Sequence, residues 1–178
     1  MDKLIIKIRP MSKADIDGIM SIEEATYGEH HWSRDSFYSE LSNNLARYFC
    51  AFNENDELLG YAGSWLIVDE AHITNIAVNP NYRGKKIGEA LLVEIFEVCY
   101  KEMVKYVTLE VRVSNTPAIG LYEKYSFKSL GTRKGYYQNN NEDALIMWTE
   151  NIFWDKFKEK YNQNIEKLKE LVEIIKWS

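Results

Sequence analysis

Apolar and polar residues alternate at the start of the chain, with Leu4, Ile6 and Ile8 set against Ile5, Lys7 and Arg9. This alternation predicts a strand over residues 3–9, ended by Pro10. The apolar spacing then lengthens. Ser12 and Asp15 resemble a capping box, and Ile16, Ile19, Met20 and Glu23 recur at helical spacing, which predicts a helix to about Tyr27, closed by Gly28. The linker Glu29-His30-His31-Trp32 leads to Ser33, a good N-cap for a second helix through Phe37, Tyr38 and Leu41 that ends at Asn43-Asn44. Residues 46–52, 58–68 and 71–78 read as three strands joined by short turns, hence an antiparallel meander, with Gly60 and Gly63 pointing to a bulge.

Beyond Gly88 the pattern is helical again, through Ile87, Leu91, Leu92, Ile95 and Phe96 to about Met103. A strand over 106–113 follows. Strand, crossover helix and strand make a βαβ unit, so its two strands should be parallel. Asn115 or Thr116 can cap a short helix that has Pro117 in its first turn and runs to about Tyr125. Two strands, 127–137 and 143–149, flank the polar loop Gln138-Asn139-Asn140-Asn141-Glu142. The order is that of one mixed α/β domain over residues 1–150. Residues 151–178 differ. Phe157, Tyr161, Ile165, Leu168, Val172 and Ile175 follow one another at three or four residues, with Lys and Glu between them. This predicts an amphipathic C-terminal helical extension, either docked on its own domain or serving as a homodimer or partner interface.

Composition narrows the class. At 178 residues, 46% hydrophobic and 28% charged, the chain is long and apolar enough for one globular domain. Its net charge of −5 argues against general nucleic-acid binding and suits a basic protein substrate. Cys50 and Cys99 fall in a predicted strand and a predicted helix and read as reduced and buried. No Cys or His spacing supports a metal site. The N-terminal residues lack a signal-peptide core and no run reaches membrane-spanning length, so the expectation is a cytoplasmic protein with no membrane partner.

Candidate chemistry gathers around residues 74–92. Ile76, Ala77 and Val78 suit a buried strand, Asn79-Pro80-Asn81 stops it, and Arg83, Gly84, Lys85 and Lys86 precede the helix. The first amides of a helix lack internal partners and the macrodipole is positive there, so cations and small residues at such an end fit a phosphate cradle. The same residues also fit a solvated basic loop. In the strand that follows, Thr108, Glu110 and Arg112 share one face, opposite Val107, Leu109, Val111 and Val113. Alone, Glu110 fits a solvent-facing strand residue and Tyr122 a core tyrosine. Together they lie near the carboxyl ends of parallel strands, where α/β proteins place their ligands.

Val78, Arg83, Gly84 and Gly88, then Leu109-Glu110-Val111-Arg112, Ser114-Asn115, Ala118-Ile119, Leu121-Tyr122-Glu123 and Phe127, resemble a GNAT-fold N-acetyltransferase. Asn75-Ile76-Ala77-Val78, Tyr136-Tyr137, Glu142-Asp143-Ala144, Ile22-Glu23-Glu24 and Trp32-Ser33 narrow the resemblance to RimI-type ribosomal-protein alanine N-acetyltransferases and related N-terminal acetyltransferases. It covers roughly residues 3–149. It implies a mixed, mostly antiparallel sheet of about seven strands around a central parallel βαβ cofactor site, with a C-terminal helix added. It also implies acetyl-CoA as cosubstrate, with Ile76, Ala77 and Val78 on the acetyl and pantetheine part, Arg83, Gly84, Lys85, Lys86, Ile87, Gly88 and Glu89 around the phosphates, and Asn115 in contact. Glu110 matches the general base and Tyr122 the general acid. Glu24, Trp32, Tyr136 and Tyr137 lie where relatives hold the incoming peptide N-terminus. Lys86 stands where the family's motif has its first glycine. The implied reaction is direct acetyl transfer to a protein N-terminal α-amine. The alternatives are a small amine or a lysine side chain as acceptor, or a degenerate acetyl-CoA-binding module.

Overall fold

The computed structural model describes residues 2–177. Eight strands form one sheet: β1 (Leu4–Pro10), β2 (Ala46–Phe52), β3 (Leu58–Ile67), β4 (Glu70–Val78), β5 (Tyr106–Arg112), β6 (Lys128–Tyr137), β7 (Glu142–Trp148) and β8 (Val172–Lys176). Their order across the sheet is β6-β7-β5-β4-β3-β2-β1-β8. Most neighbours are antiparallel, including the expected meander of β2, β3 and β4. The β4–β5 pair is parallel, as a crossover connection requires.

Helices α1 (Ile16–Tyr27) and α2 (Arg34–Leu41) lie on one face of the sheet, over Cys50, Tyr61 and Ala77. On the other face α3 (Ile87–Lys101), α4 (Thr116–Lys124) and α5 (Asp155–Leu171) cover the main core, where Leu91, Phe96, Val107, Leu109 and Phe157 meet. The start of α1 is fixed by one carboxylate. Asp15 accepts from the Ser12 amide at 2.7 Å and from Nη1 and Nη2 of Arg9 at 2.6 Å each. This joins β1 to the turn before α1 and satisfies a helix-end amide.

Two irregularities shape the middle of the sheet. Gly63 pairs with Asn75 and Ser64 with Ile73, so the extra residue is Thr74 on β4, while Leu59 of β3 is skipped against β2. Gly63 itself serves packing. A Cβ there would lie 2.1 Å from the Tyr48 ring, whose hydroxyl is 2.7 Å from Thr74 Oγ1 and 2.8 Å from Asn75 Oδ1. Tyr48 therefore crosses β3 through the space a side chain would fill and pins the bulged segment of β4.

The tail departs from the expectation of one continuous helix. Phe157, Tyr161 and Leu168 of α5 are buried in the chain's own core. At Val172 the backbone turns extended, and β8 pairs in parallel with β1 from Leu4↔Val172 to Ile8↔Lys176. The sheet thus has eight strands where about seven were expected. Val172, Ile174 and Ile175 are β-branched and favour a strand, and β1 presented an open edge that needed pairing. Helical spacing of apolar residues continued into residues whose backbone preference was extended.

Candidate active site

β4 and β5 run together for only three residue pairs, Glu70↔Tyr106, Ala71↔Val107 and His72↔Thr108. Beyond His72 they separate. From Ile73 onward β4 keeps β3 on one side, through Ala62↔Ile76, Tyr61↔Ala77 and Gly60↔Val78. Its other side faces the split, and a backbone edge seeks hydrogen-bond partners. An extended, amide-bearing chain such as pantetheine fits that edge as another strand would. Ile76 and Val78 turn toward the α3 core, and Ala77 is buried on the opposite face beneath α1.

The segment after β4 folds back tightly. Asn79 accepts from the Asn81 amide at 3.1 Å and donates to the Leu58 carbonyl at 3.2 Å, and a single 3-10 turn spans Pro80–Tyr82. Arg83 is extended. Gly84 and Lys86 are both left-handed, at φ 76° and 70°. Lys86 is the N-cap of α3, and its carbonyl accepts from Ala90 at 2.9 Å, but its side chain caps nothing. The first-turn amides of Ile87, Gly88 and Glu89 are left to solvent or a ligand, beside the cations of Arg83, Lys85 and Lys86. Glu89 would oppose an anion there, but its buried carboxylate is taken by Lys124 Nζ at 2.8 Å and the Tyr125 hydroxyl at 3.0 Å. The donor set therefore fits a diphosphate.

On the far side of the split, Glu110 projects from β5 on the face opposite the α3 core. Its carboxylate is partly exposed and lies 3.5 Å from the Arg133 guanidinium of β6. Tyr122 sits in the last turn of α4, buried against Phe127. Burial, with Tyr27 and Tyr137 nearby, raises its phenol pKa further above neutrality. Asn115 is the N-cap of α4, its Oδ1 accepting from Ala118 at 3.3 Å. This settles the choice between Asn115 and Thr116 as cap. It also turns the Asn115 side chain toward its own helix.

The residues expected on the acceptor side lie in α1, the loop after it and β6. Tyr136 and Tyr137 meet edge to face at 5.1 Å near the end of β6, and Tyr136 is exposed. The Arg112 guanidinium lies 3.9 Å over the Tyr137 ring. Burial pushes the Tyr137 phenol up to about 12, with Arg112 opposing. Glu142 holds this corner together, accepting from the Ser114 amide at 2.8 Å and from Arg112 at 3.4 Å. Trp32, in the loop after α1, packs on Phe37 at 5.4 Å, whereas Glu24 lies on the exposed side of that helix.

Two residues gain importance only in three dimensions. Glu23, the neighbour of Glu24, is 1% exposed and accepts from the Trp32 amide at 2.9 Å and from the Tyr61 hydroxyl. Burial raises its pKa, with Tyr61 and Trp32 opposing. Glu23 fastens the loop after α1 to the sheet. The signal was present in the spacing, since a carboxylate continuing the stripe of Ile16, Ile19 and Met20 has to point inward. Tyr27 stands one turn further along the same stripe. The residue is 41% exposed, yet burial raises its phenol pKa, Glu23 adds to the rise, and Arg112 and Arg83 oppose it. Tyr27 is thus within electrostatic reach of Arg83, of Arg112 on β5 and of Tyr122 on α4. Among the described residues no cluster of His, Cys, Asp and Glu could hold a metal ion, and no helix is long and apolar enough to cross a membrane.

The chain matches the model of the acetyltransferase (GNAT) family over residues 16–127. It is 44% identical over 141 residues to a Bacillus subtilis protein provisionally named a ribosomal protein bS18-alanine N-acetyltransferase, a match spanning 79% of this chain and 93% of that protein. It is 32% identical over 142 residues to the ribosomal protein bS18-alanine N-acetyltransferase of Escherichia coli K12, spanning 79% of this chain and 94% of the other. The crystal structure of the ribosomal-protein-S18-alanine N-acetyltransferase from Escherichia coli superposes with a TM-score of 0.74 at 31% identity, over 82% of this chain and 93% of that one.

Proposed function

The chain belongs to the acetyltransferase (GNAT) family and is an acetyl-CoA-dependent N-acetyltransferase, the premise from which we propose that its acceptor is the α-amine of a protein N-terminus, a ribosomal protein being the first candidate. The observation that carries this reading is the match to bS18-alanine N-acetyltransferases over nearly their whole length. The acceptor side of the split supports it, because Tyr27, Tyr136 and Tyr137 supply apolar walls with polar tips suited to a peptide end.

Acetyl-CoA supplies a thioester carbon that is open to attack by an amine. The open edge of β4 at Ile76, Ala77 and Val78 orients the acyl and pantetheine part, and a free amide on that edge polarises the carbonyl. The first-turn amides of α3, with Arg83, Lys85 and Lys86, hold the phosphates. An α-amine has a pKa near 8, so about a tenth is neutral at pH 7. Glu110 takes the proton that the amine loses as the new bond forms, directly or through one water. Tyr122, a protonated phenol at pH 7, gives a proton to the departing sulfur. Holding the two reactants in line across the split supplies a large share of the acceleration.

The test is acetyl transfer to short peptides that differ at residue one, with lysine-containing N-blocked peptides and polyamines alongside. Turnover confined to peptides with a free α-amine is the expected outcome. Turnover on the blocked peptides or on polyamines alone would overturn the acceptor assignment. Coenzyme A binding without any turnover would make the chain a binding module.

A further inference from the structure

On the α3 side of the sheet, the tail helix α5 reaches the end of α4. Asn164 is 2% exposed, and its Nδ2 donates to the Lys124 carbonyl at 2.9 Å. Lys124 closes α4, where the last carbonyls of a helix have no internal partner. The constraint passes onward from there. Lys124 Nζ and the Tyr125 hydroxyl each donate to one oxygen of Glu89, at 2.8 and 3.0 Å, in the first turn of α3. The Tyr125 ring also lies 6.3 Å from that of Tyr161 on α5. Tyr122 is within one turn of both Lys124 and Tyr125. One buried tail side chain is thereby linked to the helix that carries the candidate acid and to the helix end that cradles phosphate.

We propose that α5 braces the acetyl-CoA site and that Asn164 is its positioning residue, acting through Lys124 on Glu89. This rests on the reading of the α3 N-terminus and Tyr122 as the cofactor site. The reason is electrostatic. Glu89 places a buried carboxylate in the same helical turn as the phosphate-binding amides. Uncompensated, it repels a diphosphate; paired with Lys124 and Tyr125, it does not. The Lys124 side chain is 35% exposed, so water competes for its ammonium and the pairing depends on a fixed backbone at the end of α4. Asn164 supplies that fixed point.

The experiment compares full-length Asn164→Ala, Lys124→Met and Ile174→Ala with the wild type. Calorimetry gives coenzyme A affinity, steady-state kinetics give separate KM values for acetyl-CoA and peptide, and thermal unfolding gives stability. Asn164→Ala is expected to weaken coenzyme A binding and raise the acetyl-CoA KM about fivefold or more, with the peptide KM unchanged. Lys124→Met keeps the Asn164 bond but removes the cation from Glu89, and is expected to do the same. Ile174→Ala removes apolar packing from the same tail at β8 and is expected to lower Tm while coenzyme A affinity stays within about twofold. Unchanged affinity in Asn164→Ala overturns the proposal, as does an equal loss in Ile174→Ala. If Asn164→Ala does not fold, Lys124→Met decides, with unchanged affinity counting against. Failure of the underlying site reading is distinct, since Arg83→Ala would then bind coenzyme A like the wild type.

Discussion

Lys86 combines a strained backbone with a useful position. At φ 70° it occupies the left-handed region, which costs a residue with a Cβ about 1–2 kcal/mol relative to glycine. Lys86→Gly is expected to stabilise the fold by about 1 kcal/mol and raise Tm by about 2–4 °C, as read by calorimetric unfolding. The residue ordinary at a left-handed position is thus replaced by one that carries an ammonium at the N-cap of α3. Glu110 and Tyr122 separate in the same kind of comparison. Glu110→Gln is expected to lower kcat by about 10²–10⁴-fold with acetyl-CoA affinity kept, because only the proton acceptor is lost. Tyr122→Phe is expected to cost less than Glu110→Gln, since a thiolate is a fair leaving group without a proton. Steady-state kinetics on both variants check this order.

At the scale of elements, carboxylates fasten helices and loops to the sheet, and their pKa shifts have opposite signs. Burial alone would raise Asp15, but its bonds to Arg9 and to Ser12 outweigh burial and hold it below the usual carboxylate range. Its contribution is present above the unfolded value near 4 and is lost as pH falls through the lower folded value. Asp15→Asn is therefore expected to destabilise the protein by about 1–3 kcal/mol at pH 7, with the difference from wild type shrinking as pH falls below about 4. Denaturant unfolding at several pH values measures it. Glu23 runs the other way. Its folded pKa is raised, so it weakens the fold as pH rises from the unfolded value through the folded one. The loop after α1 is held by a carboxylate whose ionisation is opposed by burial.

At the scale of the whole molecule, the tail completes the sheet. Trp177 donates its amide to the Ile8 carbonyl at 2.8 Å, and its ring lies 5.9 Å from Phe52 with Lys7 and Arg9 close to its face. Deleting residues 172–178 uncovers the β1 edge and part of Phe52. The expected result is a lower Tm together with concentration-dependent self-association, seen by light scattering, because an open strand edge pairs with other chains. A shortened chain that stays monomeric at unchanged Tm would show that β8 contributes nothing to the sheet.

Local pattern determined most of the elements and their order. Alternation located β1, runs between short turns located β2 to β4, helical spacing located α1 to α3, and Ser33 and Pro117 marked helix starts, because each of these depends on residues a few positions apart. Resemblance in a few motifs brought the cradle, Glu110 and Tyr122 into one candidate site. Tertiary structure decided what depends on distant partners. Residues 172–176 became a strand because β1 offered an unpaired edge more than 160 positions away in the chain. The extra residue of the bulge fell on Thr74 because Tyr48 needed the space above Gly63. Glu23, with Glu24 beside it, became the buried anchor because Tyr61 and Trp32 lie inward of α1. A sequence states which face a side chain occupies, but only the packed fold supplies the partner that makes a buried charge, a strained lysine or an open edge tolerable.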